Sequence, residues 1–189
     1  MRGSLLAFSL LALASSPCSA QEDYEVRCEV YRFDASARAK LFAEGVDATA
    51  ERARAFGRLR FEAKLPCKGQ QLAKLSTSRK YPFKTQTTNN VATSSSVSFM
   101  TIGDQLDCSV VPKEGGKGEL SLALKLEDVT TERGGASLPV VRSLSLRTRL
   151  TFEAERETVI VQGSGSVSPN DRYLQVVIVR VVRLPIKGR

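Results

Sequence analysis

Glu119–Val129, ELSLALKLEDV, alternates without a break: Leu120, Leu122, Leu124 and Leu126 fall on one side of an extended chain, and Ser121, Lys125 and Glu127 on the other. Side chains of a β-strand point alternately to opposite faces, so a period of two predicts a strand with one face in a core and one in water. Such a strand needs neighbours to complete its apolar face, and the flanking sequence supplies them. Upstream, Lys113–Gly118 (KEGGKG) reads as a turn. Before it, Ser96–Pro112 (SVSFMTIGDQLDCSVVP) resumes β character, with Leu106, Cys108 and Val110 on one face and Gly103 as a bulge or bend. Downstream, Glu132–Ala136 (ERGGA) is a loop, after which Leu144, Leu146, Leu150 and Phe152 face inward and Arg147 and Arg149 outward. Thr158–Gln162 (TVIVQ) is a short strand ending in a hairpin turn at Gly163–Gly165. Leu174–Leu184 (LQVVIVRVVRL) is apolar on both faces over Val176–Val179, which predicts a central strand covered on both sides. At a sheet edge, so apolar a strand would invite aggregation.

The N-terminal half is mixed. Tyr24–Phe33 (YEVRCEVYRF) alternates, with Tyr24, Val26, Cys28 and Val30 on one side. Asp34 is placed to cap a helix over Ala35–Glu44 stopped by Gly45, and the alanine-rich Asp47–Phe56 adds a second helical piece before Gly57. From Arg58 the period returns to two: Leu59, Phe61, Ala63 and Leu65 on one face, Arg58, Arg60, Glu62 and Lys64 on the other, ended by Pro66 and Gly69. Leu72–Leu75 reads as a short strand, and the polar Ser76–Ser96 as a long loop or an exposed hairpin. The expected fold is α+β or mainly β: a single sheet-rich domain of about seven strands with a short helical insert near its N-terminus.

The first twenty residues have another purpose. Arg2, the apolar Leu5–Ala14 and the small-residue stretch Ser15–Ala20 make a secretory signal peptide cut after Ala20. The expected organisation is thus residues 1–20 as signal and 21–189 as the mature domain, exported to the periplasm, outer membrane or extracellular space. The ten-residue apolar run is about half of what a membrane-spanning helix needs, and Pro17 before Cys18 disfavours lipoprotein processing. No later run reaches spanning length, which leaves short alternating β-barrel strands open. The mature chain carries 27 basic against 20 acidic residues, a net charge of +7. Its cations are scattered over strand-like segments (Arg58, Arg60, Lys64; Arg142, Arg147, Arg149; Arg180, Arg183) without interleaved aromatics, the pattern of solvated strand faces. For an exported cation the expected partners are anionic lipid, lipopolysaccharide or an acidic protein, and not nucleic acid.

Catalytic chemistry finds little support. The chain has no histidine, which removes the base that Ser-His and Cys-His nucleophiles need. Thr77 with Lys80 is only an echo of a Ser-x-x-Lys motif, and Ser76 is followed at that spacing by Arg79. The carboxylate pairs Glu153/Glu155 and Glu127/Asp128 sit beside basic residues, as surface ion pairs do. Gly163–Ser166 follows a strand but lacks the Lys-Ser/Thr of a phosphate loop. Catalytic, cofactor-binding and metal sites are therefore expected to be absent. Cys28, Cys67 and Cys108 remain after signal removal; their wide spacing without CxxC or histidine argues against a zinc site, and export to an oxidising compartment predicts one disulfide among them, with all three pairings open.

Ile102, Gly103, Leu106, Val110 and Pro112, then Thr158, Val159, Ile160, Val161 and Gly163, then the apolar Val176–Pro185 follow one another in an order that resembles the C-terminal core of bacterial secretins. These are the ring-forming outer-membrane pores of type II and type III secretion and of type IV pili. The first group is similar to the family's "iG-x-x-L-x-V-x-P" segment and the second to its "G-x-t-v-v-i-g-G" turn. Leu72–Phe83 (LAKLSTSRKYPF) is similar to the stretch leading into its basic "G-r-x-x-P-y/f" segment. Arg156 and Glu157 depart from the family, which has a glycine before the position of Thr158, and no periplasmic modules precede the core in this sequence. The resemblance implies a non-enzymatic, secretin-like envelope domain that associates with copies of itself or with envelope secretion proteins, using Ser76–Ser96 and the hairpin near Gly163. The alternative reading from charge alone is a soluble periplasmic or secreted module that binds an anionic ligand or protein partner.

Overall fold

A computed structural model describes residues 23–42, 47–89, 92–130, 139–163 and 174–185. The signal-peptide residues, Glu132–Ala136 and the turn past Gly163 lie outside them. The described elements are β1 (Asp23–Phe33), α1 (Ala35–Leu41), α2 (Ala50–Phe56), β2 (Arg58–Lys68), β3 (Ala73–Asn89), β4 (Ala92–Pro112), β5 (Lys117–Thr130), β6 (Val140–Glu153), β7 (Glu157–Gly163) and β8 (Leu174–Arg183). The protein is mainly β, as the alternating segments predict. Its strands form two antiparallel four-stranded sheets, a first in the order β2-β1-β8-β7 and a second in the order β3-β4-β5-β6.

The sheets share one core. Val26, Cys28 and Val30 of β1 and Val177, Val179 and Val181 of β8 pack against Leu106 and Val110 of β4 and Leu120, Leu122, Leu124 and Leu126 of β5. Tyr24 and Phe152 meet edge to face across the sheets, with ring centroids 6.2 Å apart. The other face of the first sheet is covered by the helices, where Phe33, Val176 and Ile178 pack on Leu41, Ala50 and Ala53. The β8 strand, between β1 and β7, is thus buried on both faces, and this is why its sequence shows no alternation. Asp34 caps α1 by accepting from the Ala37 N–H at 2.8 Å, and Thr49 caps α2 by accepting from the Arg52 N–H at 3.3 Å. The KEGGKG turn is a 3-10 turn over Glu114–Gly116, with Gly115 and Gly116 both at φ 74°, a left-handed conformation that side-chain-bearing residues adopt at a cost.

Three expectations need correction. Leu59 does not join the apolar face of β2. The β1–β2 register passes from Val30↔Phe61 to Tyr31↔Leu59, so Arg60 is an extra, bulged residue; the bulge breaks the alternation and leaves Leu59 48% exposed. Gly103 is not a bulge, since Ser78↔Gly103 continues the β3–β4 ladder unbroken; it is small because a Cβ there would meet the Thr77 carbonyl oxygen at 2.5 Å. Pro66 does not end β2, which runs on to Lys68. Because β2 is an edge strand of its sheet, a proline there removes no ladder bond the sheet needs.

Candidate functional site

Of the two readings left open for Ser76–Ser96, the structure realises the hairpin. The β3–β4 ladder runs from Ala73↔Cys108 to Asn89↔Ala92, whereas β4 pairs with β5 only from Gln105 onward. Residues 77–89 and 92–104 therefore leave the second sheet as a two-stranded arm on the order of 40 Å long. Threonine and serine dominate its outer part, where the Thr85 and Ser96 hydroxyls lie 2.7 Å apart. Between that polar end and the sheet lies an apolar belt of Tyr81, Pro82 and Phe83 on β3 and Val97, Phe99 and Met100 on β4, with Phe99 64% and Val97 59% exposed. Two-stranded ribbons are marginal in water by themselves, and this one leaves apolar surface uncovered.

The root of the arm is held by charge. Where the β4–β5 ladder stops, two side chains replace backbone partners: Glu127 Oε2 accepts from the Gly103 N–H at 2.9 Å, and Asp104 Oδ1 accepts from the Glu127 N–H at 3.0 Å. Arg60, re-aimed by the β2 bulge, reaches across from the first sheet. Its guanidinium donates to both Asp104 oxygens at 3.3 Å and to the Glu127 carbonyl at 2.7 Å, and its Nε stands 3.3 Å from Asp128 Oδ2. Such forked contacts are geometrically specific as well as attractive. The Lys125 ammonium and the Gly103 N–H hold the Glu127 carboxyl below its usual range.

Arg32 and Arg79 also approach Asp128, at 3.7 and 3.5 Å. Together with Asp34, Arg58, Leu59 and Arg60 they line a cleft of about 500 Å³ beside the arm's root. Four arginines face two aspartates there, so the cleft is electropositive and suited to a carboxylate or phosphate.

The motif residues divide between the sheets. Ile102, Leu106 and Val110 point from β4 into the interior, Gly103 sits at the arm's root and Pro112 ends β4. Thr158–Val161 and Gly163 lie on β7, an edge of the first sheet. Leu106, Val110 and Ile160 meet in the inter-sheet core, while Val161 is exposed. The carboxylates weighed for acid-base work are in ion pairs: Glu153 with Arg156 at 3.2 Å, Glu155 with Arg180 at 2.7 Å, Asp128 with its arginines. Among the described residues no cluster of His, Cys, Asp or Glu could hold a metal, and no helix is long and apolar enough to cross a membrane. Sequence reasoning missed the Arg60–Asp104–Glu127–Asp128 network. Its members are distant along the chain and meet only through the packing of two sheets, so no local spacing signals it.

No protein-family model matches the chain, and no curated protein does. Solved structures do. The β-barrel secretin domain of InvG from the Salmonella SPI-1 injectisome is 14% identical with a TM-score of 0.46, over 90% of this chain and 66% of that one. The secretin GspD of enterotoxigenic Escherichia coli (ETEC), solved with the pilotin AspS, is 10% identical with a TM-score of 0.49, over 88% of this chain and 50% of that one. The type II secretin XcpQ of Pseudomonas aeruginosa is 11% identical with a TM-score of 0.44, over 87% and 56%. The chain spans between half and two thirds of the length of these proteins. These three solved chains are secretins.

Proposed function

We propose that this chain is a non-enzymatic, exported component of the cell envelope that builds a β-wall with copies of itself through the second sheet. The observation that carries this reading is the shape of that sheet. It is open, with β3 and β6 at its edges, and among the described residues neither edge has a second strand partner. Four antiparallel strands place β3 and β6 in opposite directions, so β6 of one copy laid beside β3 of the next continues the antiparallel alternation. A head-to-tail contact of this kind closes into a ring when the rotation per copy permits. The uncovered belt of the arm gives neighbouring arms an apolar surface to share. The motif resemblance to secretins agrees with assembly at an outer membrane, and the signal-like N-terminus with export. The absence of histidine from the sequence and the ion-paired carboxylates favour a structural role over a catalytic one.

The arginine cleft supports a second reading, a soluble module that binds an anionic ligand or acidic partner. Native mass separates the two. The protein is extracted from its host's envelope with and without detergent and its mass measured. A particle of many copies that requires detergent is the expected result, and a soluble particle of one or two chains overturns the wall and leaves the cleft as the site.

A further inference from the structure

Cys67 lies on β2, an edge strand of the first sheet, and Cys108 on β4, inside the second. Their sulfurs are 3.2 Å apart across the inter-sheet core. Both residues are buried, at 0% and 1% exposure. The third cysteine is poorly placed to compete for Cys67. Cys28 is opposite Ala63 in the β1–β2 ladder while Cys67 is opposite Tyr24. Four residues of offset put Cys28 and Cys67 about 13 Å apart along the strands, whereas a disulfide spans Cα atoms roughly 4.4–6.8 Å apart.

We propose that Cys67 and Cys108 are the pair that oxidises, stapling the two sheets together and leaving Cys28 a buried free thiol. The oxidant is a disulfide-bearing carrier, a protein disulfide or a small-molecule disulfide. One cysteine thiolate attacks the carrier disulfide, forming a mixed disulfide and releasing a carrier thiolate. The second cysteine attacks the chain's sulfur in that mixed disulfide, forming the Cys67–Cys108 bond and releasing the other carrier thiolate. Two electrons pass to the carrier, and the two protons lost by the cysteines end on its thiols. Burial dictates when this happens: the carrier reaches the sulfurs while the chain is still folding, and closure of the sheets then shields the bond. In the reduced, folded chain the two thiols are in hydrogen-bonding contact, while burial and the neighbouring Glu29 carboxylate push Cys28 up to about 12 and keep it protonated.

The staple has a specific position. Cys108 is paired with Ala73 at the first rung of β3–β4, so the bond ties the sheet-embedded base of that hairpin, four rungs before the arm leaves the sheet, to the first sheet. The loop it closes holds most of β3 and β4, and removing that constraint is expected to lower the melting midpoint by on the order of 10 °C.

The test is refolding of the reduced, denatured chain in a buffer of reduced and oxidised glutathione, with remaining thiols alkylated under denaturing conditions and peptides mapped without reduction. The expected product is a Cys67–Cys108 peptide pair two hydrogen atoms lighter than the separate peptides, with Cys28 alkylated. Full alkylation of both Cys67 and Cys108, or a bond that includes Cys28, overturns the proposal. Cys67→Ser, Cys108→Ser and the double variant are expected to melt equally far below the oxidised parent; additive losses overturn it as well. If the serine variants do not fold, the peptide map of the parent decides alone. The refolding result does not depend on where the chain resides, so it is distinguishable from a failure of the export reading.

Discussion

Arg54 on α2 donates to two carboxylates at once, to both oxygens of Glu29 on β1 at 2.9 Å and to both oxygens of Glu157 on β7 at 2.7 and 3.2 Å. A planar guanidinium can do this and an ammonium cannot, so a single residue bolts the helical layer to two strands that are not neighbours in their sheet. The hydrogen bonds from Arg54, joined by one from the Tyr31 hydroxyl at 2.9 Å, hold the Glu29 carboxyl below its usual range. The sign of the pH effect follows. A carboxylate whose folded pKa is depressed adds stability above its unfolded value of about 4.3 and loses it as acid titrates the folded form. Urea denaturation at neutral pH should therefore find Glu29→Gln less stable than the parent by about 1 kcal/mol, a figure kept small because the groups are partly solvated. The gap should close as pH falls through the depressed folded value of Glu29. A gap that persists unchanged into acid would mean that the site contributes shape and not charge.

Within β5, neighbouring residues are worth different amounts. Leu124 is 1% exposed between the sheets, while the Lys125 side chain is 54% exposed and pairs with Glu127. Leu124→Ala should lower unfolding free energy by about 2–5 kcal/mol and Lys125→Ala by no more than about 0.5, read from denaturant midpoints at constant slope. That contrast was legible in the sequence, because a strand with one wet face writes its burial as a period of two. The β8 strand was legible for the opposite reason: Val176 and Val177 on opposite faces leave no solvated side. Legibility ends where a neighbouring strand makes the decision. Leu59 and Arg60 exchange their expected environments because β1 imposes a bulge, which no residue of β2 announces. Threonine and serine between Thr85 and Ser96 read equally well as loop or hairpin, since the ladder that orders them is backbone to backbone and indifferent to side-chain pattern. The arginine cleft and the Cys67–Cys108 contact were invisible for the same reason, as both arise between sheets.

For the molecule as a whole, the outer part of the arm, beyond its anchored root, is the feature that the fold itself does not use. Its belt contributes nothing to the inter-sheet core, and Val97 and Phe99 are more than half exposed. The double variant Val97→Ser, Phe99→Ser should therefore melt within a few degrees of the parent while the proportion of chains in large particles falls, measured by native mass and thermal denaturation on one preparation. Assembly equal to the parent's would show that the belt is not what neighbouring copies cover. The connectivity of the sheets has a further consequence, one of timing. The second sheet is a meander of consecutive hairpins, β3 to β6, whose contacts close short loops. The first sheet joins β1 to β8, with Tyr24 opposite Arg183, and cannot be completed until nearly the whole described chain has been made. Local contacts form early and distant ones late. A chain synthesised from its N-terminus thus sets down the meander while β1 waits with an open side, and the most apolar strand arrives last, into a slot already lined on two faces. The segment most prone to mispairing spends the least time unpartnered.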